Sequence, residues 1–266
     1  MSRGPSAASL MAAAAEVARE CGTVALRHFR SAELSVQRKP DGSPVTNADL
    51  AAESAAREWI RSRFPSDGIL GEEFGIERPD APRRWVLDPI DGTRTFLRGV
   101  PLWGSLVAVL EGDDVVAGAA NFPAVSELIY AAQGENCWLD GVRVRVSDIS
   151  LVSGALVLTT DPTFAIRPER LDDWAKLEAE SELSRSWGDC YGYLLVATGR
   201  AEVMVDAALS TWDAAALMPI VEEAGGVFTD WSGVRTPDGG DAIATNGALA
   251  AEARRLLGVP GRGGKP

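Results

Sequence analysis

From Ile69 onward the apolar residues come in short runs, each broken by a Gly, Asp or Pro. They are Ile69 to Gly71, Trp85 to Leu87, Leu102 to Leu110, Val115 to Ala120 and Leu128 to Ala131. Runs of this kind bounded by turn residues read as the strands of a sheet. Helices flank them. Residues 9–30 are rich in Ala with few breakers, and Asn47 to Phe64 follows the N-cap candidates Thr46 and Asn47. Lys39 to Pro44, between the two helices, is a loop by its turn residues. Beyond Ala155 to Thr159, helical patterns near 168–180, 190–198, 213–224 and 247–257 alternate with strands at Val203 to Asp206, Val227 to Thr229 and Ala242 to Ala244. Gly225-Gly226 ends the third of these helices. Helices alternating with mostly antiparallel strands predict a layered α+β fold with two lobes. The lobes are expected over residues 1–146 and 147–258, with a disordered tail over 259–266.

Composition removes several classes of function. No apolar run approaches the roughly 18–20 residues that span a bilayer, and the Ala-rich start carries Glu16, Arg19 and Glu20, unlike a signal peptide. A net charge of −12 argues against a nucleic-acid backbone as partner. Cys21, Cys137 and Cys190 lack metal-type spacing, and a sparse, odd count fits the reducing cytoplasm. His28 is the one histidine, so phosphohistidine chemistry and His-rich metal clusters lack their residues. Cys21 and Arg27 match the Cys-x5-Arg spacing of cysteine phosphatases, but they continue an Ala-rich helix where a glycine-rich phosphate loop would be needed.

The run Trp85-Val86-Leu87-Asp88-Pro89-Ile90-Asp91-Gly92-Thr93 carries the strongest chemical signal. Pro89 and Gly92 are expected to stop the strand and turn the chain. Asp88 and Asp91 would leave its end close enough to share a divalent cation. Gly92 lets backbone approach a ligand, and Thr93 offers a hydroxyl and an N–H at the start of a helical turn. Asp49, Glu72 and Asp213 are further acids at helix starts and a strand end, without basic neighbours in sequence. Period-two alternation would send Glu72 and Glu73 to opposite sides. Each acid also has a purely structural role open to it, as turn residue, helix N-terminus or solvated pair. As a group they suit hard cations such as Mg²⁺. The Asp-x-x-Asp spacing of 88 and 91 differs from the Asp-x-Asp of aspartyl-phosphate phosphatases.

Four segments, Lys39 to Asp49, Gly71-Glu72-Glu73, Asp88-Pro89-Ile90-Asp91-Gly92-Thr93 and Trp212-Asp213-Ala214-Ala215, together resemble the signatures of the inositol monophosphatase family, in the right order. The resemblance runs over residues 10–257 and implies the αβαβα sandwich shared with fructose-1,6-bisphosphatases. It implies a cytoplasmic homodimer acting on a small-molecule phosphate ester, with two to three Mg²⁺ per site, Mn²⁺ as a substitute and Li⁺ as an inhibitor. By motif, Glu72, Asp88 and the carbonyl of Ile90 would hold one metal. Asp88 would bridge to a second metal held by Asp91 and Asp213, and a third would lie near Glu72 and reach Asp49 through water. Thr93 with Asp49 would activate water, and the N–H groups of Gly92 and Thr93 would hold the phosphate.

Within the family, Gly188-Asp189-Cys190-Tyr191-Gly192-Tyr193 resembles the histidinol-phosphate phosphatase branch. Asp189 and Asp206, with Arg185, are expected on the far side of the substrate, which Asp91, Gly92, Thr93 and Asp213 would also contact. Carboxylates there suit a substrate that carries a cation, as histidinol phosphate does. Asp189 could instead cap the helix that follows. Two positions depart from the family pattern: Asp206 stands where a longer Glu is usual, and Thr95 where Asn is usual. L-histidinol phosphate is therefore the expected substrate. Inositol 1-phosphate or another sugar or nucleotide monophosphate is the alternative, and a non-catalytic metal- and phosphate-binding regulator a remote one.

Overall fold

The computed structural model describes residues 4–260. Ser6 caps α1 (Ala7–His28), and the strands β1 (Val36–Arg38) and β2 (Pro44–Thr46) form an antiparallel hairpin around the loop expected at 39–44. Then follow α2 (Asn47–Arg63), β3 (Gly68–Gly71), β4 (Gly75–Glu77), β5 (Arg83–Asp91) and the short α3 (Thr93–Leu97). Strands β6 (Gly104–Glu111), β7 (Asp114–Phe122), β8 (Glu127–Ala132), β9 (Cys137–Leu139) and β10 (Val142–Arg143) complete an eight-stranded sheet ordered 10-9-8-7-6-5-3-4. The second half comprises β11 (Leu156–Thr159), α4 (Leu171–Glu180), β12 (Leu183–Arg185), α5 (Asp189–Ala197) and β13 (Val203–Asp206). It ends with α6 (Thr211–Ala215), α7 (Leu217–Glu223), β14 (Val227–Thr229), β15 (Ala242–Thr245) and α8 (Ala250–Leu256). Its five strands are ordered 12-11-13-15-14. Antiparallel pairing predominates; β3–β5, β11–β12 and β11–β13 run parallel.

Alternation along the central strands builds two cores from one sheet. Trp85, Leu87, Val107 and Val109 face α1 and α2, where they meet Val17, Ala52 and Ile60. Val86, Leu106, Ala108 and Leu110 face the other way and pack with Leu194 of α5 and Met218 of α7. Beyond the five-stranded sheet a third core joins Val157, Val205 and Ile243 to Trp174 of α4 and Leu256 of α8. The layers therefore read helix, sheet, helix, sheet, helix. Small residues set the spacing at one contact that matters below. A methyl group on Gly118 of β7 would lie 2.3 Å from the carbonyl oxygen of Ala216, so only Gly lets the α6–α7 junction sit this low on the sheet.

Several local expectations change. The helix expected over 213–224 is two helices, with Ala216 at the junction. The strand does not stop at Pro89: β5 runs to Asp91 through a bulge, its register shifting by one residue between Asp88 and Asp91 opposite Leu106 and Gly104. Pro89, which has no N–H to give a ladder, sits inside the bulge. Of the tail expected to be disordered, Val259 packs against the third core and donates its N–H to Arg254 O. Residues 261–266 of that tail lie outside the described residues.

Candidate active site

The β5 bulge decides where the two central carboxylates go. Residues three apart on a regular strand face opposite sides of a sheet. The extra residue resets that alternation, so Asp88 and Asp91 line one cleft. Asp213 joins them from the first turn of α6, and the carboxylates of Asp88, Asp91 and Asp213 lie within 4.8 Å of one another. The cleft holds about 810 Å³ and is also lined by Glu72, Glu73, Ile90, Gly92, Thr93, Ser210 and Trp212.

Asp49 and Asp213 share one local design. Each is the third helical residue of a capping box, with one oxygen accepting from the backbone N–H of its N-cap, Thr46 for Asp49 and Ser210 for Asp213. The second oxygen is then free of the helix. Asp49 Oδ1 is buried without any hydrogen-bond partner, an arrangement that a bound cation or an ordered water would satisfy. The helix-terminus role therefore leaves one oxygen of the same side chain available to a ligand. Asp88 Oδ1 accepts from Ile90 N at 3.0 Å, and Asp91 Oδ2 accepts from the N–H of Cys190, which ties β5 to α5.

Glu72 and Glu73 do not point to opposite sides. β3 ends at Gly71, so both leave from a turn, and Lys39 donates to Glu72 at 2.7 Å and to Glu73 at 2.9 Å. Thr93 Oγ1 donates to Ile90 O at 3.1 Å rather than to Asp49. Gly92, at φ 82, starts α3 in the left-handed region, and a methyl there would lie 2.9 Å from Asp189 Oδ2.

A second cavity of about 870 Å³ adjoins the first, sharing Ser43 and Asp213. Asp189 and Asp206 line it, as do Thr95, Thr160, Phe164 and Ile166. Asp189 takes φ 49 at the first position of α5, its N–H donating to Thr160 Oγ1 and its Oδ2 accepting from Thr95 Oγ1 at 2.9 Å. Thr95, one of the two departures from the family pattern, is thus the partner of Asp189. Asp206 is buried with both oxygens used, by Thr160 N and by Tyr193 OH. Arg185 lies elsewhere: it is exposed at the end of edge strand β12 and donates to Ser184 O. Lys39, Ser210 and Thr160 were given no role from sequence. Lys39 lay inside a quoted motif, which was the one available signal.

The concentrated negative charge has an energetic consequence. Burial, then the carboxylates of Glu72, Asp91 and Asp213, push Asp88 well above the usual carboxylate range. Burial, then Asp189 and Asp213, do the same to Asp91. Burial raises Asp213 and Asp49 to about 6, and Asp206 to about 7. Lys39 moves the other way from what burial alone dictates, because its bonds to Glu72 and Glu73 favour the ammonium. The native state therefore binds protons that the unfolded chain has already released between about pH 4 and 7, and stability falls as pH rises through that window. In metal-free buffer the melting temperature should drop on the order of 10 °C from pH 5.5 to 7.5, several carboxylates contributing about 1 kcal/mol each. Excess Mg²⁺ should shrink that drop. A melting temperature that rises with pH without metal would contradict this picture of the site.

Comparison with known proteins places the chain in a family. The profile of the inositol monophosphatase family matches residues 6–258. A histidinol-phosphatase of Chlorobaculum parvum is 41% identical over 251 residues, covering 94% of this chain and 96% of its own. The histidinol-phosphatase of Mycobacterium tuberculosis is 39% identical, over 84% of this chain and 88% of its own. Among solved structures, an inositol monophosphatase from Zymomonas mobilis superposes with a TM-score of 0.84 at 32% identity, covering 96% of this chain and 100% of its own.

Proposed function

The chain belongs to the inositol monophosphatase family, and we propose that it is a Mg²⁺-dependent phosphatase whose substrate is L-histidinol phosphate. Its histidinol-phosphatase and inositol monophosphatase relatives indicate hydrolysis of phosphoric monoesters, and the family is metal-dependent, in general on Mg²⁺. The observation that carries the reading is the meeting of Asp88, Asp91 and Asp213, carboxylates from two distant segments, within 4.8 Å. Such a buried acidic cluster is costly unless cations offset it. The orphaned Asp49 Oδ1 and the all-oxygen donor set fit a hard divalent ion.

In this reading Glu72, Asp88, the Ile90 carbonyl, Asp91 and Asp213 hold two to three Mg²⁺. When bound, these cations draw charge from the phosphate and ease deprotonation of the attacking water. The remaining steps belong to the chain. Thr93 Oγ, its proton committed to Ile90 O, keeps lone pairs to accept from the water and orient it. Asp49 supplies the free carboxylate oxygen toward which the proton moves. The N–H groups of Gly92 and Thr93 hold the phosphate. No covalent intermediate and no histidine are needed. Mn²⁺ as substitute, Li⁺ as inhibitor, a homodimeric state and a cytoplasmic location accompany the reading through the family likeness.

Support for the substrate comes from the second cavity. Four aspartates, Asp161, Asp189, Asp206 and Asp213, line it against two arginines, Arg94 and Arg98. An ester that brings an ammonium group reduces that surplus, whereas a neutral polyol leaves it unchanged. Two relatives at 41% and 39% identity are named histidinol-phosphatases, which agrees with the charge argument. Asp206, buried with both oxygens bonded, acts through Tyr193 and Thr160, and Asp189 is the residue with an uncommitted oxygen for the cation. Steady-state phosphate release should show kcat/KM for L-histidinol phosphate at least about tenfold above that for inositol 1-phosphate, fructose 1,6-bisphosphate or an adenosine monophosphate. That is the effect of about one charged hydrogen bond. A preference for a neutral sugar phosphate would overturn the assignment.

A further inference from the structure

Glu53 of α2 is fully buried, yet it lies outside the set of acids that line the cleft. It stands four residues after Asp49, on the same face of the helix. Its Oε2 accepts from the backbone N–H of Glu73 at 2.7 Å, and its Oε1 from that of Phe74 at 3.2 Å and from Arg57 Nε at 2.8 Å. Arg57 continues to Gly75 O on the far side of the same turn. The turn needs this support, because among the described residues β4 is the edge strand, with no strand paired beyond it. Gly71 completes the fit: a methyl there would lie 2.0 Å from Glu53 Oε1, so the strand end is bare where the carboxylate packs.

We propose that Glu53 is a positioning residue for the cation site, holding the Glu72–Glu73 turn so that the Glu72 carboxylate faces Asp88. One side of α2 thereby carries both Asp49, with its unpartnered Oδ1, and Glu53, which reaches the cleft by way of the turn. A carboxylate is required for the task because two consecutive N–H donors and a guanidinium converge on it; an amide at this position offers one acceptor oxygen and sets N–H against N–H. The proposal rests on the reading of Glu72 as a cation ligand.

The test is calorimetric titration of Mg²⁺ into the metal-free full-length protein, with wild type, Glu72→Gln, Glu53→Gln and Gly71→Ala compared, and melting curves taken without metal. Glu53→Gln should weaken Mg²⁺ binding about ten- to a hundredfold, as loss of a residue that orients a ligand does. Gly71→Ala, which drives the same carboxylate off the turn, should give the same change and decides the matter if Glu53→Gln does not fold. Both variants binding Mg²⁺ as wild type does, with only the metal-free melting temperature lowered, would overturn the proposal and leave Glu53 a structural residue. If Glu72→Gln itself binds Mg²⁺ unchanged, the ligand reading fails first and the positioning role with it. Weakened binding in Glu72→Gln with none in Glu53→Gln removes the positioning role alone.

Discussion

Asp213→Asn should lower phosphate release by on the order of a thousandfold while making the metal-free protein more stable. The loss follows because Asp213, on α6, completes the carboxylate group with Asp88 and Asp91 of β5, and charge stabilisation by a bound cation supplies several kcal/mol at about 1.4 kcal/mol per tenfold. The gain follows from the same proximity. Asp213 is one of the charges that hold Asp88 and Asp91 above their usual range, so its neutralisation relieves repulsion in both. Asn keeps the side-chain oxygen that accepts from Ser210 N, so the α6 cap survives. Steady-state kinetics with saturating Mg²⁺ and melting curves without it read the two effects. An active Asp213→Asn enzyme would remove Asp213 from the site, and a less stable metal-free variant would mean its cap matters more than its charge.

Asp189→Asn should separate substrate choice from hydrolysis. Asn tolerates the positive φ that Asp189 adopts, so the start of α5 should hold. The carbonyl oxygen still accepts from Thr95, while the charge offered to a substrate ammonium is gone. kcat/KM for L-histidinol phosphate should fall roughly 10- to 150-fold, the equivalent of about 1.5–3 kcal/mol for a hydrogen bond to a charged group. A neutral ester such as inositol 1-phosphate should lose little or even gain. Equal losses on both esters would place Asp189 in support of Asp91, through Cys190, rather than in recognition.

What the sequence disclosed and what it withheld divide along a physical line. The carboxylates at helix starts are legible because Asp49 follows the N-cap candidate Thr46 and Asp213 opens an Ala-rich helical run, although the Ser210 cap before Asp213 is not. Asp88 and Asp91 stood out as a pair, but the reason they face one cleft was hidden. Three residues of regular strand would have divided them, and a bulge is visible only against the partner strand β6. Opposite directions for Glu72 and Glu73 follow only if strand alternation continues past Gly71, and there the chain turns instead. Arg185 was placed near the substrate by its nearness in sequence to Asp189. β12 turned out to be an edge strand whose last residue faces solvent. The sequence offers only the Glu53–Arg57 spacing; the backbone N–H partners of Glu53 that matter to the turn belong to Glu73 and Phe74, far along the chain. Contacts between segments, and not residue types, are what a single chain conceals.

The central claim is that Asp88, Asp91 and Asp213 jointly hold a divalent cation, and diffraction from crystals grown with Mn²⁺, recorded for anomalous scattering, tests it most directly. An anomalous peak is expected with oxygen atoms of all three aspartates within about 2.0–2.6 Å, the range for carboxylate ligands of hard divalent ions. A peak located elsewhere, or none at these three residues in crystals that hold Mn²⁺ at other sites, would contradict it.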